Sequence, residues 1–136
     1  PLYDALDDMI PHDKLSYYMA TRVIEVAPLA FMRGRTLDNA FMILDEAQNA
    51  TEGQLKMFLT RIGPSAKCII TGDMTQIDLP RNQESGLGKT IERLKSIKGI
   101  GVMKLDNRDV VRHKLVKILL EPLKKIYKFI EVEYHS

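Results

Sequence analysis

The sequence predicts a parallel α/β sheet, and three observations lead there. Phe41-Met42-Ile43-Leu44 and Ala66 to Thr71 are short, almost wholly apolar runs bounded by polar turns, the pattern of strands buried on both faces. Each run is followed by a stretch with apolar residues at helical spacing, so strands and amphipathic helices alternate. Both runs end in carboxylates, Asp45-Glu46 after the first and Gly72-Asp73 after the second. Asp and Glu form strands poorly, which puts them beyond the strands' C-terminal ends, where open α/β sheets bind ligands.

Taken in order, Leu2, Ala5, Leu6, Met9 and Ile10 recur at helical spacing, and Pro11 stops that helix. Asp13 is a candidate N-cap for one or two further turns with Leu15, Tyr18 and Met19 on one side. Val23 to Val26 reads as a short strand closed by Pro28, and Leu29 to Asn39 as a loop running up to Phe41. After the Asp-Glu pair, Thr51 and Gln54 match a capping box, and Leu55, Phe58, Leu59 and Ile62 form an apolar stripe that Gly63-Pro64 ends. A helix carrying Leu87, Ile91 and Leu94 stops near Gly99, and a third core strand, Val102 to Leu105, ends at Asp106. The last segment places Leu115, Ile118, Leu119, Leu123, Ile126 and Ile130 at helical spacing, with Pro122 kinking or splitting it.

The 136 residues make at most one domain, with enough chain for a real core, and 45% hydrophobic with 28% charged residues is ordinary for a globular protein. A net charge of +2 is too small to argue for nucleic acid by itself. One cysteine, Cys68, excludes an internal disulfide framework and agrees with a reducing compartment. No apolar run approaches the length of a membrane span and no signal peptide opens the chain, so cytoplasm is the expected location. The chain starts at Pro1 in helix-like sequence and reads as part of something longer.

Two adjacent carboxylates at a strand end suit nucleotide hydrolysis: one can hold Mg²⁺ and its neighbour can orient the attacking water. An ordinary acidic turn after a buried strand is the plainer alternative. The second strand opens into Gly72-Asp73-Met74-Thr75-Gln76, one helix later and so at the same sheet edge. A side-chain amide there can donate to a phosphate oxygen while its carbonyl orients a water. Gly-Asp after a strand is commonly just a turn. The two motifs in this order favour the functional reading of both.

The runs from Ile24 through Arg33-Gly34-Arg35 to Asp45-Glu46-Ala47-Gln48-Asn49, from Thr71 to Pro80, and Asp109-Val110-Val111-Arg112-His113 resemble the PhoH family of P-loop ATPases. The resemblance extends to about Leu120. It implies a P-loop NTPase sheet of RecA-like type, similar to the first motor domain of superfamily-one helicases. It also implies ATP and Mg²⁺ as ligands, Asp45 as the Walker B magnesium carboxylate, Glu46 as the water-orienting residue and Gln76 as the γ-phosphate sensor. The chain departs from the family in one respect: no Gly-x-x-x-x-Gly-Lys-Ser/Thr loop precedes Asp45. Gly86-Leu87-Gly88-Lys89-Thr90 imitates its ending, but lacks the first glycine and follows a turn instead of a buried strand. Residues 1–136 are therefore expected to be the C-terminal part of such a domain, inactive alone, with the phosphate loop upstream.

Arg33 and Arg35 flank a glycine and could pair bidentately with a phosphate, or with a neighbouring subunit's nucleotide if the intact protein is a homo-oligomeric ring. Two solvated loop charges are the equal alternative. Arg112 is a third candidate for nucleotide contact. His12, His113 and His135 lack metal-ligand spacing, and Cys68 inside a strand reads as a small buried hydrophobe. Lys114, Lys117, Lys124, Lys125 and Lys128 could track RNA phosphates, although most such faces are simply solvated. The expected function is thus an Mg²⁺-dependent ATPase with RNA as a candidate partner. The rival is a non-hydrolysing scaffold or nucleic-acid-binding module controlled by nucleotide. A metal-dependent phosphohydrolase using Asp45 and Asp73 ranks last, for want of a metal-ligand cluster.

Overall fold

The computed structural model describes residues 2–106 and 108–109, which form two compact units, one up to Met32 and one from Arg33 to residue 109. Arg112, Pro122 and the lysine-bearing C-terminal segment lie outside the described residues.

The first unit holds helices α1 (Leu2–Met9) and α2 (His12–Ala20), with Leu15 as its buried apolar residue. Asp13 does not cap α2: the helix begins one residue earlier, behind Pro11, whose carbonyl accepts from the Leu15 N–H at 2.9 Å. Asp13 falls in the first turn instead, where its charge still suits the helix dipole. The strand expected at Val23 to Val26 is absent. Arg22 turns left-handed at φ 58°, and the Arg22 N–H donates to Met19 O at 3.2 Å while the Val23 and Ile24 N–H groups donate to Tyr18 O at 2.9 and 3.1 Å. This is a Schellman closure of α2, and it consumes the donors a strand would have needed. Leu29–Met32 winds into a short 3-10 turn within the expected loop.

The second unit is an α/β arrangement with a small parallel sheet. Strand β1 (Phe41–Leu44) pairs with β2 (Lys67–Ile70) in the register Phe41–Lys67, Met42–Cys68, Ile43–Ile69 and Leu44–Ile70. Helix α3 (Glu52–Leu59) connects them, and α4 (Leu87–Leu94) follows β2 and contacts α3. Parallel strands need such a crossover, because a tight turn can only reverse the chain. Met42, Cys68 and Ile70 join Leu55, Phe58, Leu87 and Ile91 in the buried core. The expectation that β1 is buried on both faces fails: Phe41 is 63% exposed and Ile43 48%. Two-sided burial requires cover on both faces, and among the described residues nothing shields these two.

The capping box at the start of α3 forms as read: the Gln54 N–H donates to Thr51 Oγ1 at 3.3 Å and the Thr51 N–H donates to Gln54 Oε1 at 2.9 Å. The helix stops at Leu59, short of the full stripe. Ile62 leaves it to make a parallel bridge with Leu37, fixed by Leu37 N–H to Arg61 O at 2.8 Å and Gly63 N–H to Leu37 O at 2.7 Å. Asp38 Oδ1 accepts from the Ser65 N–H at 2.8 Å, so the entering loop is tied to the start of β2. Val102 to Leu105 is not a strand; among the described residues it has no ladder partner, and an apolar run without one stays irregular.

Candidate functional site at the C-terminal sheet edge

Because β1 and β2 are adjacent and parallel, the segments that leave them emerge side by side. The Thr71 N–H donates to Leu44 O and the Ala47 N–H to Thr71 O, both at 2.9 Å, so the ladder continues one step past the strands. The Thr71 hydroxyl then donates to Asp45 Oδ1 at 2.7 Å. One oxygen of Asp45 is thus fixed by the neighbouring strand, and among the described residues Oδ2 has no hydrogen-bond donor.

Glu46 follows with a left-handed backbone, φ 54° and ψ 35°, uncommon for a residue with a side chain. That kink turns the chain into a short 3-10 turn, Ala47–Asn49. Glu46 is exposed, whereas Gln48 is fully buried and reaches three partners. Its Nε2 donates to Glu46 Oε2 at 2.5 Å and to Gln76 O at 3.3 Å, while its Oε1 accepts from the Asp73 N–H at 3.0 Å. Asp73 organises the second turn: its Oδ1 accepts from the Thr75 N–H at 2.8 Å and hydroxyl at 2.6 Å, and its Oδ2 from Gln76 Nε2 at 2.9 Å. Asn49 Oδ1 adds a further cross-link, accepting from the Asp78 N–H at 2.7 Å.

The structure therefore brings Asp45, Glu46 and Gln76 to one edge. Arg33 and Arg35 come before the Leu37–Ile62 bridge and enter the sheet from its opposite edge, Arg33 exposed beside Gly34 at φ 78°. Gln48 and Thr71 are residues to which the sequence assigned no role in the site, and Asp73 had one only in the lowest-ranked alternative, the metal-dependent phosphohydrolase. The signal for Gln48 was its setting: a polar residue between Ala47 and Ala50, small neighbours that mark close packing. Among the described residues no group of three His, Cys, Asp or Glu side chains could hold a metal ion. Asp45 could contribute one ligand, the arrangement Mg²⁺ takes when phosphates and waters complete its octahedron.

Gly86-Leu87-Gly88-Lys89-Thr90 is not built as a phosphate loop. Leu87 already begins α4, Lys89 pairs with Glu84 at 3.4 Å, and the Gly86 N–H donates to Ala50 O at 2.8 Å. A Cβ on Gly86 would lie 2.2 Å from the Glu52 backbone nitrogen, so this glycine lets the start of α4 abut the start of α3. Arg93 bonds Glu52 across the same contact.

Comparison with known proteins adds an independent line. A family profile for PhoH, described as PhoH-like protein, matches residues 1–124. Relatives include a PhoH-like protein of Bacillus subtilis (strain 168), 56% identical over 92% of this chain and 39% of its own length. A PhoH-like protein of Mycobacterium tuberculosis (strain H37Rv) is 53% identical over 89% of the chain and 34% of its own length. Protein PhoH of Escherichia coli K12 is 44% identical over 85% of the chain and 33% of its own length. The chain thus spans between a third and two fifths of the curated relatives it matches.

Proposed function

The chain belongs to the PhoH family, and from that premise we propose that it carries the metal-binding and phosphate-sensing edge of an Mg²⁺-dependent ATPase domain of P-loop, RecA-like type. The observation that supports this best is the hydrogen-bonded continuity of the two strand ends. Asp45 is held by Thr71 from the next strand, and Glu46 and Gln76 belong to turns linked through Gln48. An acidic turn with no task beyond reversing the chain would need no such cross-strand fixing.

In this reading Asp45 would hold Mg²⁺, which when bound would supply charge neutralisation at the nucleotide's phosphates. Glu46 orients a water toward the terminal phosphate and accepts its proton. Gln76 offers an amide to the same phosphate, exchanging its bond to Asp73 for one to the nucleotide. The catalysis is positioning and electrostatics, which rigid strand-end residues provide. The proposal assigns the phosphate loop to sequence outside residues 1–136. It includes RNA as the partner that stimulates turnover, and a homo-oligomeric ring in which Arg33 or Arg35 approaches a neighbour's nucleotide.

The test is magnesium dependence in the full-length protein. Asp45→Asn should raise the Mg²⁺ concentration for half-maximal turnover by about tenfold, because a hydrogen-bonded charged ligand is exchanged for a neutral one. An unchanged magnesium response removes Asp45 from the metal site. Tight Mg-ATP binding with no turnover, with or without RNA, selects the nucleotide-controlled scaffold instead.

A further inference from the structure

We propose that Gln48 is the positioning residue of this site: a buried amide that aims Glu46 and keeps it in register with the Asp73–Gln76 turn. The proposal rests on the hydrolytic reading of Glu46 above.

The orientation of the amide is not arbitrary. The Asp73 N–H needs an acceptor, and Gln48 Oε1 supplies it at 3.0 Å, so the NH₂ end must face Glu46 Oε2 and Gln76 O. The room around it is also fixed. Gly72 is buried, and a Cβ there would stand 3.1 Å from Gln48 Oε1, 3.2 Å from its backbone nitrogen and 2.6 Å from Leu87 Cδ2. The amide is fully buried, with the Gly72 backbone packed close against it.

A buried amide is commonly no more than a satisfied core group, and two of the three bonds fit that description, since Asp73 N and Gln76 O are backbone atoms. The third does not. Glu46 is exposed, so water could hydrate its carboxylate at little cost, and pinning a solvated side chain gains little stability. Yet the shorter of the two bonds from Nε2, at 2.5 Å, goes to that carboxylate. Among the described residues the bond leaves Oε1 of Glu46 without a donor, and it removes much of the rotational freedom of a side chain whose backbone is already kinked left-handed. The same amide holds the turn that carries Gln76. A shift of that turn therefore acts on the group that orients Glu46, which makes Gln48 the direct link between the phosphate-sensing and water-orienting sides.

The experiment is a double-mutant cycle in the full-length protein, reading kcat and Mg-ATP affinity separately. Gln48→Met, of similar length without polar atoms, should lower kcat on the order of ten- to a hundredfold while leaving the Mg-ATP dissociation constant within about twofold. In a Glu46→Gln background the same change should cost less than about twofold further in kcat, because a residue acting through Glu46 has nothing left to position. Gln48→Asn, a neutral amide too short to span the same partners, carries the same test if the methionine variant fails to fold. Equal fold-losses in both backgrounds, or a kcat within about twofold of the parent, overturns the proposal. Inertness of Glu46→Gln by itself would instead strike the hydrolytic reading, so the two failures are told apart.

Discussion

Glu46 and two glycines hold the site's shape at the scale of single residues. The left-handed turn at Glu46 costs on the order of 1 kcal/mol, retained where surrounding structure over-determines it. Here the Ala47 N–H to Thr71 O bond on one side and the Gln48 amide on the other supply that constraint. Gly72 and Gly86 matter for space and not for backbone freedom, since neither has a positive φ. A Cβ on Gly72 would press mainly on the side-chain end of Leu87, whereas one on Gly86 would strike the backbone of Thr51 and Glu52. Gly72→Ala is expected to destabilise the protein by roughly 1–3 kcal/mol and Gly86→Ala by more than about 3 kcal/mol, measured as shifts in urea midpoint. The reverse order would mean that Gly86 serves something other than helix contact. That Asp45, Glu46 and Gln76 share one sheet edge was readable from sequence, because both motifs follow apolar runs separated by one amphipathic helix. Gln48 was not assigned, because its role depends on three partners of which two lie 25 and 28 residues away.

Among the elements, β1, α3, β2 and α4 were legible because each joins an apolar periodicity to a stop or a cap. Val23 to Val26 and Val102 to Leu105 show where that reasoning fails. Both are short and three-quarters apolar, but a strand exists only through a partner's ladder, and local sequence does not record whether one is present. In the first case the closure of α2 had already taken the amides. Within β2, Cys68 is fully buried, and burial pushes its thiol up to about 12. The folded thiol thus stays protonated while an unfolded one ionises near 9.0. Its contribution to stability is complete below that value and is lost as pH rises toward about 12, because the unfolded state alone releases the proton. The parent should lose more stability than Cys68→Val between pH 8 and about pH 11, read as the difference in their urea midpoints. Parallel losses would mean that the thiol is hydrated in the folded state.

For the whole molecule, the account joins a sheet edge described here to a protein two to three times the length of this chain among its relatives. If Arg33 or Arg35 acts across a subunit boundary, mixing Arg35→Ala or Arg33→Ala protein with Glu46→Gln protein should restore part of the lost turnover, since each supplies what the other lacks. Mixtures that show only the sum of their components would confine both arginines to the loop before β1. The central claim is that Glu46, set at the end of β1 and bonded to Gln48, orients the attacking water. The direct measurement is single-turnover hydrolysis of Mg-ATP by full-length parent and Glu46→Gln proteins, alongside their Mg-ATP affinities. Glutamine keeps a carbonyl acceptor for the Gln48 amide, so the turn should survive. Affinity should change by less than about twofold while the hydrolysis rate falls a hundredfold or more, roughly what a positioned general base contributes. Hydrolysis at the parental rate would contradict the account and leave the Asp45-Glu46 pair as an ordinary acidic turn.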